Sequence, residues 1–140
     1  MKEVEILLVE DNNGDVLLTQ EALLNWDTKN RISSVGDGEE AIRYLKATAK
    51  KCISQLPDLI ILDINLPKLD GKQVLQLIRS DVDLKHLPVV IFSSSVNDKD
   101  VREAKELNAD LYLQKPAELQ HYFDAVYTIE QFWTSYKKAI

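Results

Sequence analysis

Short, almost wholly apolar runs alternate along this chain with longer stretches whose apolar residues recur at helical spacing. Val4-Glu5-Ile6-Leu7-Leu8-Val9 and Leu59-Ile60-Ile61-Leu62 are too apolar to be anything but buried strands. After the first run, Asn13 to Trp26 carries Val16, Leu17, Gln20, Leu23 and Leu24 as an inward stripe, capped by Asn12 or Asn13. A weaker strand, Arg31 to Val35, ends at Gly36-Asp37-Gly38. A helix follows from about Glu39 to Ala49, with Ala41, Ile42 and Leu45 inward, and 50–57 reads as loop or frayed helix end. The third strand covers Leu59 to Asp63, and a loop, Ile64 to Asp70, closes at Gly71. Helix three spans about Lys72 to Arg79, strand four Val89 to Phe92, and a short charged helix runs from Asn97 through Leu107. Strand five is Asp110 to Leu113, and the last helix runs from about Pro116 to Tyr136. Five strand–helix units in strict alternation predict an α/β domain, a parallel sheet with helices on both faces. Right-handed crossovers favour the strand order 2-1-3-4-5.

Composition narrows the class. With 140 residues the chain suffices for one domain, expected over 1–140, and 45% hydrophobic with 29% charged residues is ordinary for a globular protein. A net charge of −6 and no basic cluster beyond Lys50-Lys51 and Lys137-Lys138 argue against nucleic-acid binding. Cys52 is the single cysteine, so no intramolecular disulfide forms and a reducing compartment fits. Met1-Lys2-Glu3 leads straight into a strand, with no apolar run of the roughly 20 residues that cross a bilayer. A cytoplasmic protein that does not enter the membrane is the expectation.

The chemistry gathers at the strand ends. Glu10, Asp11 and Asp63 follow two of the apolar runs, and Lys115-Pro116 follows another. If those strands are parallel neighbours, their carboxyl ends open into one crevice, where open α/β sheets bind ligands. Three acids meeting there repel one another, so a cation belongs between them and the lysine awaits an anion. The pattern predicts a Mg2+-dependent phosphoryl site with Asp63 as nucleophile. Asp11 would ligate the metal directly, Glu10 through water, and the Asn65 backbone carbonyl could complete the set. Ser93, ending strand four, could donate to a phosphoryl oxygen. A cis Lys115–Pro116 bond is open, since it costs far less before proline than elsewhere. Gly71 is expected to need a backbone conformation closed to other residues.

Glu10-Asp11-Asn12, Leu62-Asp63-Ile64-Asn65-Leu66-Pro67 with Asp70-Gly71, Ser93-Ser94 and Lys115-Pro116 resemble the receiver domain of two-component response regulators, over about the whole chain. The resemblance implies the flavodoxin-like (βα)5 fold and transfer of a phosphoryl group from a histidine kinase onto Asp63. It also implies a switch in which Ser93 and Tyr112 move together, and tuning of phosphoryl lifetime by Asn65 and Ser95. Gly14-Asp15-Val16, Thr19-Gln20-Glu21-Ala22-Leu23, Asn65-Leu66-Pro67-Lys68 and Ile129-Glu130-Gln131-Phe132-Trp133 look like the small response regulators paired with cyanobacterial phytochromes. Asn13 stands where relatives often carry proline, and the chain departs from them beyond Trp133.

Too few residues follow Lys115 for an output domain, so action through an unidentified downstream protein is expected. Six of the ten aromatics lie in the final stretch: Tyr122, Phe123, Tyr127, Phe132, Trp133 and Tyr136. That enrichment predicts a homodimer through the last helix and the strand-four to strand-five surface. His86 and His121 lack any four-helix context and are expected on the surface rather than as phosphodonors. Three rivals compete. A haloacid-dehalogenase-type phosphatase needs an acid where Asn65 stands, and a flavodoxin-like cofactor carrier needs a phosphate loop where Glu10-Asp11-Asn12 repels phosphate. An unphosphorylated adaptor would have no use for the complete set of acids, serine and lysine.

Overall fold

The computed structural model describes residues 3–95 and 97–139. Met1 and Lys2, read above as leading into the first strand, lie outside the described residues, as does Ile140 at the end of the expected domain. Ten main elements alternate: β1 (Val4–Val9), α1 (Asn13–Leu24), β2 (Asn30–Val35), α2 (Gly38–Lys51), β3 (Leu59–Leu62), α3 (Gly71–Ser80), β4 (Val89–Ser93), α4 (Asp98–Glu106), β5 (Leu111–Gln114) and α5 (Leu119–Ala139). The strands form one parallel sheet in the order β2-β1-β3-β4-β5. This is the expected flavodoxin-like arrangement.

Alternation along each central strand feeds two cores. Leu7, Val9, Ile60 and Leu62 face Leu45, Val74, Leu75 and Ile78 from α2 and α3. Ile6, Leu8, Ile61, Val90 and Phe92 face Leu23 of α1 and Val126, Ile129 and Trp133 of α5. Each such side chain contributes about 1.5–3 kcal/mol when fully buried. Apart from Glu5 of β1, both faces of β1, β3 and β4 are therefore dry.

Several boundaries differ from the sequence reading. In α1, Leu17 and Leu24 are 63% and 81% exposed, whereas Thr19, Ala22 and Leu23 are buried. The inner face is rotated because the Thr19 hydroxyl bonds the buried Tyr122 hydroxyl at 2.7 Å. The helix stops at Leu24, and Trp26 is buried beyond it, its indole N–H donating to the Val126 carbonyl at 3.2 Å. The stretch read as loop or frayed helix end begins with the last two residues of α2, Lys50 and Lys51, and continues into a 3-10 turn at Ile53–Gln55. The last helix starts at Leu119, three residues after Pro116.

The cis bond left open above is not adopted, and the backbone expectation for Gly71 fails. The Lys115–Pro116 bond is trans, like every peptide bond of the described residues. No isomer is needed to aim the lysine, because its amide donates to the Ser93 carbonyl at 2.8 Å and extends the β4–β5 ladder into the crevice. No described glycine has a positive φ, so Gly71 is not there for its dihedral freedom. A Cβ on Gly71 would stand 2.1 Å from the Asp63 carbonyl oxygen and 2.7 Å from the Ile64 Cα. The residue is glycine because α3 starts against the backbone that leaves β3.

Candidate functional site

Register places the acids. Val9 pairs with Leu62, so the residues after them leave neighbouring strands at the same level. The Asp63 amide donates to the Val9 carbonyl at 3.1 Å and the Glu10 amide to the Val35 carbonyl at 3.0 Å. Glu10 and Asp63 are buried side by side, with Asp11 exposed at the rim. One oxygen from each of the three lies within 4.8 Å of the others.

Lys115 enters from the end of β5, and it too is buried. Its Nζ donates to Asp63 Oδ2 at 2.8 Å, to Asp15 Oδ2 at 2.9 Å and to Glu10 Oε1. Asp15 is the member the sequence reading missed as a site residue. It stands in the first turn of α1, where Asn12 Oδ1 accepts its amide at 3.0 Å. An acid in a helical first turn has an ordinary explanation in the helix dipole, and only the closeness of α1 to β5's end reveals another.

These contacts decide the charges. Burial pushes the Asp63 carboxyl up, but the hydrogen bond and charge of Lys115, helped by Ser93, outweigh it and hold the group below the usual range. Asp63 is thus ionised at neutral pH, the state in which a carboxylate can act as a nucleophile. Burial dominates at Glu10, whose carboxyl is pushed up to about 7 despite its bond to Lys115. For Lys115 burial acts downward, and the bonds to Asp63 and Glu10 overcome it, so the ammonium is held charged well above its ordinary value.

The remaining predicted residues line the β4 side. Ser93 is fully buried at the end of its strand, and its Oγ accepts the Ser95 amide at 3.2 Å. Asn65 is exposed, with its amide donating to Asp63 Oδ1 at 3.3 Å. Tyr112 lies half-buried on β5, its hydroxyl on the Ser95 carbonyl. Ser95 in turn donates to Asp100, which accepts Lys72 Nζ at 2.8 Å. His86 and His121 are both exposed. The structure therefore brings Glu10, Asp11, Asp63, Ser93 and Lys115 to one crevice, with Tyr112 one loop away.

An all-oxygen donor set of carboxylates suits a hard divalent cation. Lys115 occupies one side of Glu10 and Asp63, while Asp11 makes no ion pair among the described residues, which leaves carboxylate oxygens facing the rim. The residues present fit a metal of the magnesium or manganese kind.

Comparison with known proteins agrees. Residues 6–127 match the response regulator receiver domain. Response regulator Rcp1 of Synechocystis sp. is 41% identical over 128 residues, covering 91% of this chain and 87% of that protein. The crystal structure of the phosphorylated cyanobacterial phytochrome response regulator RcpA superposes with a TM-score of 0.88 at 43% identity, covering 96% of each chain. The Mn(2+)-bound form of Rcp1 gives a TM-score of 0.85 at 40% identity, covering 93% of this chain and 94% of that one. These similarities do not favour a dehalogenase-type phosphatase, a cofactor carrier or an unphosphorylated adaptor. The chain belongs to the response regulator receiver domains, the signalling modules of two-component systems that are phosphorylated on an aspartate.

Proposed function

We propose that Asp63 is the phosphoacceptor of a two-component relay and that the phosphodonor is a histidine kinase of the phytochrome type. The observation that carries this reading is the convergence of Glu10, Asp11 and Asp63 beside the buried ammonium of Lys115. The ionised Asp63 oxygen attacks phosphorus as the phosphorus–nitrogen bond to the donor imidazole breaks, and the imidazole leaves with the electron pair. Lys115 binds one phosphoryl oxygen and the Ser93 hydroxyl donates to another, so the chain assists its own phosphorylation. Glu10, Asp11, Asp63 and the Asn65 carbonyl would hold Mg2+, which supplies charge that draws in the phosphoryl oxygens and offsets the acids. Asn65 and Ser95 flank the pocket and tune how fast water removes the phosphoryl group. The 43% identity of this chain to RcpA, a cyanobacterial phytochrome response regulator, supports the light-sensing kinase.

The output is contact with other proteins. Residues 1–140 act as a single receiver domain in the cytoplasm, with a downstream protein as target. Phosphorylation adds about −1.5 to −2 charges, and Ser93 and Tyr112 relay the change to the β4–β5 surface. That surface and α5 form a homodimer interface, to which α5 offers Tyr127, 53% exposed, on one side and the half-buried Phe132 and Tyr136 on the other. Trp133 is buried in the protein's own core, against which Phe132 and Tyr136 also pack in part.

The test is intact-mass spectrometry after acetyl phosphate and Mg2+. One phosphoryl group is expected on the wild type, and none on Asp63→Asn or without metal. A phosphorylated Asp63→Asn protein would move the acceptor elsewhere. Equilibrium sedimentation tests the dimer, and a monomer at high micromolar concentration with and without phosphoryl mimic would remove it.

A further inference from the structure

A lysine ammonium has three N–H donors. In this protein each has its own carboxylate: Glu10, Asp63 and Asp15. The phosphoryl oxygen of an incoming donor requires that ammonium while Asp63 is still a free carboxylate, so one carboxylate has to let go before the bond to phosphorus forms. Glu10 and Asp63 have side chains only 3% and 7% exposed, whereas that of Asp15 is 29% exposed. Asp15 also borders a crevice of about 850 Å3 between the first turn of α1 and the start of α5. Water there can solvate a carboxylate released from Lys115, which the buried positions of the other two do not allow.

We propose that Asp15 is a counter-ion that occupies the Lys115 ammonium in the resting protein and yields it to the phosphoryl oxygen of an incoming donor. This rests on the reading of Asp63 as acceptor. The exchange is confined to the Asp15 side chain, because its backbone is tied on two sides. Asn12 Oδ1 accepts its amide at 3.0 Å, and the buried Tyr122 hydroxyl lies 3.3 Å from its carbonyl oxygen and 2.7 Å from Thr19 Oγ1. During transfer from acetyl phosphate, the Asp63 oxygen forms its bond to phosphorus as the acyl oxygen–phosphorus bond breaks, and acetate leaves with the pair. Asp15 takes no part in either bond. It competes with the phosphoryl group for Lys115 and opposes any anionic donor at the mouth, so its influence falls on capture of the donor.

Initial rates of phosphorylation, read by intact mass over a range of acetyl phosphate concentrations with Mg2+, separate capture from transfer. Asp15→Asn is expected to lower the half-saturating donor concentration about three-fold, the size of one partly exposed ion pair. The limiting rate should move less than the half-saturating concentration. Asp15→Ser should behave alike, and Asp15→Glu, which restores the charge, should return the wild-type value. An unchanged half-saturating concentration in both Asn and Ser variants would overturn the proposal. So would a fall in the limiting rate alone, since Asp15 would then support transfer instead of competing with it. Asp63→Asn run alongside keeps the two readings apart: if it is still phosphorylated, the acceptor assignment has failed, whatever Asp15 does.

Discussion

The Tyr112 hydroxyl donates to the backbone carbonyl of Ser95 at 3.1 Å, tying β5 to the loop that leaves β4. The same serine accepts and donates on every side. Its amide reaches Ser93 Oγ at 3.2 Å, and its own hydroxyl donates to Asp100 Oδ2 at 2.6 Å. Asp100 Oδ1 accepts Lys72 Nζ from α3 at 2.8 Å. A continuous chain of hydrogen bonds thus runs from Ser93, beside the acids, to the outer faces of α3 and α4. A phosphoryl group that draws on the Ser93 hydroxyl disturbs the first link, and the ion pair on α4 resists the last.

Removing that ion pair should loosen the loop without touching the acids. Asp100→Ala takes away the acceptor of Ser95 and the nearer of the two acceptors of Lys72, the other being Glu103, in a site that is mostly but not wholly covered. A loss of about 1 kcal/mol is expected in urea unfolding. The sharper readout is hydrogen exchange at the Ser95 amide, which should quicken more than exchange in β1 or β3. Uniform quickening would mean that Asp100 supports the fold as a whole and not the loop.

The same carboxylate gives a pH signature. Its bonds to Lys72 and then Ser95 hold Asp100 below its ordinary range in the folded protein. A depressed folded value contributes stability that is fully present above the unfolded value, about 3.9, and is lost as pH falls through the folded one. The stability difference between wild type and Asp100→Ala should therefore stay level from pH 7 to 5 and shrink below about pH 4. A difference that shrank between pH 7 and 5 would assign the effect to another group.

The glycines make a contrast that needs no assumption about chemistry. A Cβ on Gly71 meets the Asp63 carbonyl at 2.1 Å, and one on Gly38 meets the Leu69 carbonyl at 2.0 Å, both of them backbone atoms. Gly36 has nothing within 4 Å and no positive φ. Alanine at Gly38 or Gly71 is expected to cost about 1–3 kcal/mol, or more, by thermal melt. Gly36→Ala should be neutral, or stabilise by about 0.4–1 kcal/mol. Equal effects at all three would refute the close approach of α2 and α3 to their loops.

How much of this was legible beforehand follows from physical range. Strands buried on both faces announce themselves through unbroken apolar runs, so β1, β3 and β4, and with them the level of Glu10 and Asp63, could be read directly. Lys115 was legible because it follows the short apolar run of β5, although that edge strand is only half-buried. Asp15 was not, since helical spacing gives it a solvated first-turn position and its partner lies 100 residues away. The Lys72–Asp100 pair was equally hidden: both residues look like surface charges until α3 and α4 lie side by side. Leu17 and Leu24 misled because apolar spacing counts residues without knowing that Thr19 has a buried hydroxyl waiting for it on α5. Gly71 was identified as special for the wrong cause, since a close approach of two backbones leaves no trace in sequence that distinguishes it from an unusual φ.

Asp11 is where repulsion and metal binding can be told apart. It is exposed, makes no ion pair among the described residues, and has an oxygen within 4.8 Å of oxygens on Glu10 and Asp63. Without metal it adds like charge to a pair already served by one lysine, so Asp11→Asn should stabilise the metal-free protein by about 0.5–1 kcal/mol. Mg2+ reverses the sign. A ligand that binds only the folded state raises stability with its concentration over Kd, and losing a ligating oxygen weakens Kd and shrinks that gain. Melts of wild type and Asp11→Asn with and without millimolar Mg2+ should therefore cross, the variant higher in chelator and the wild type higher in metal. Curves that kept the same order in both conditions would separate Asp11 from the cation and leave Glu10 and Asp63 to hold it alone.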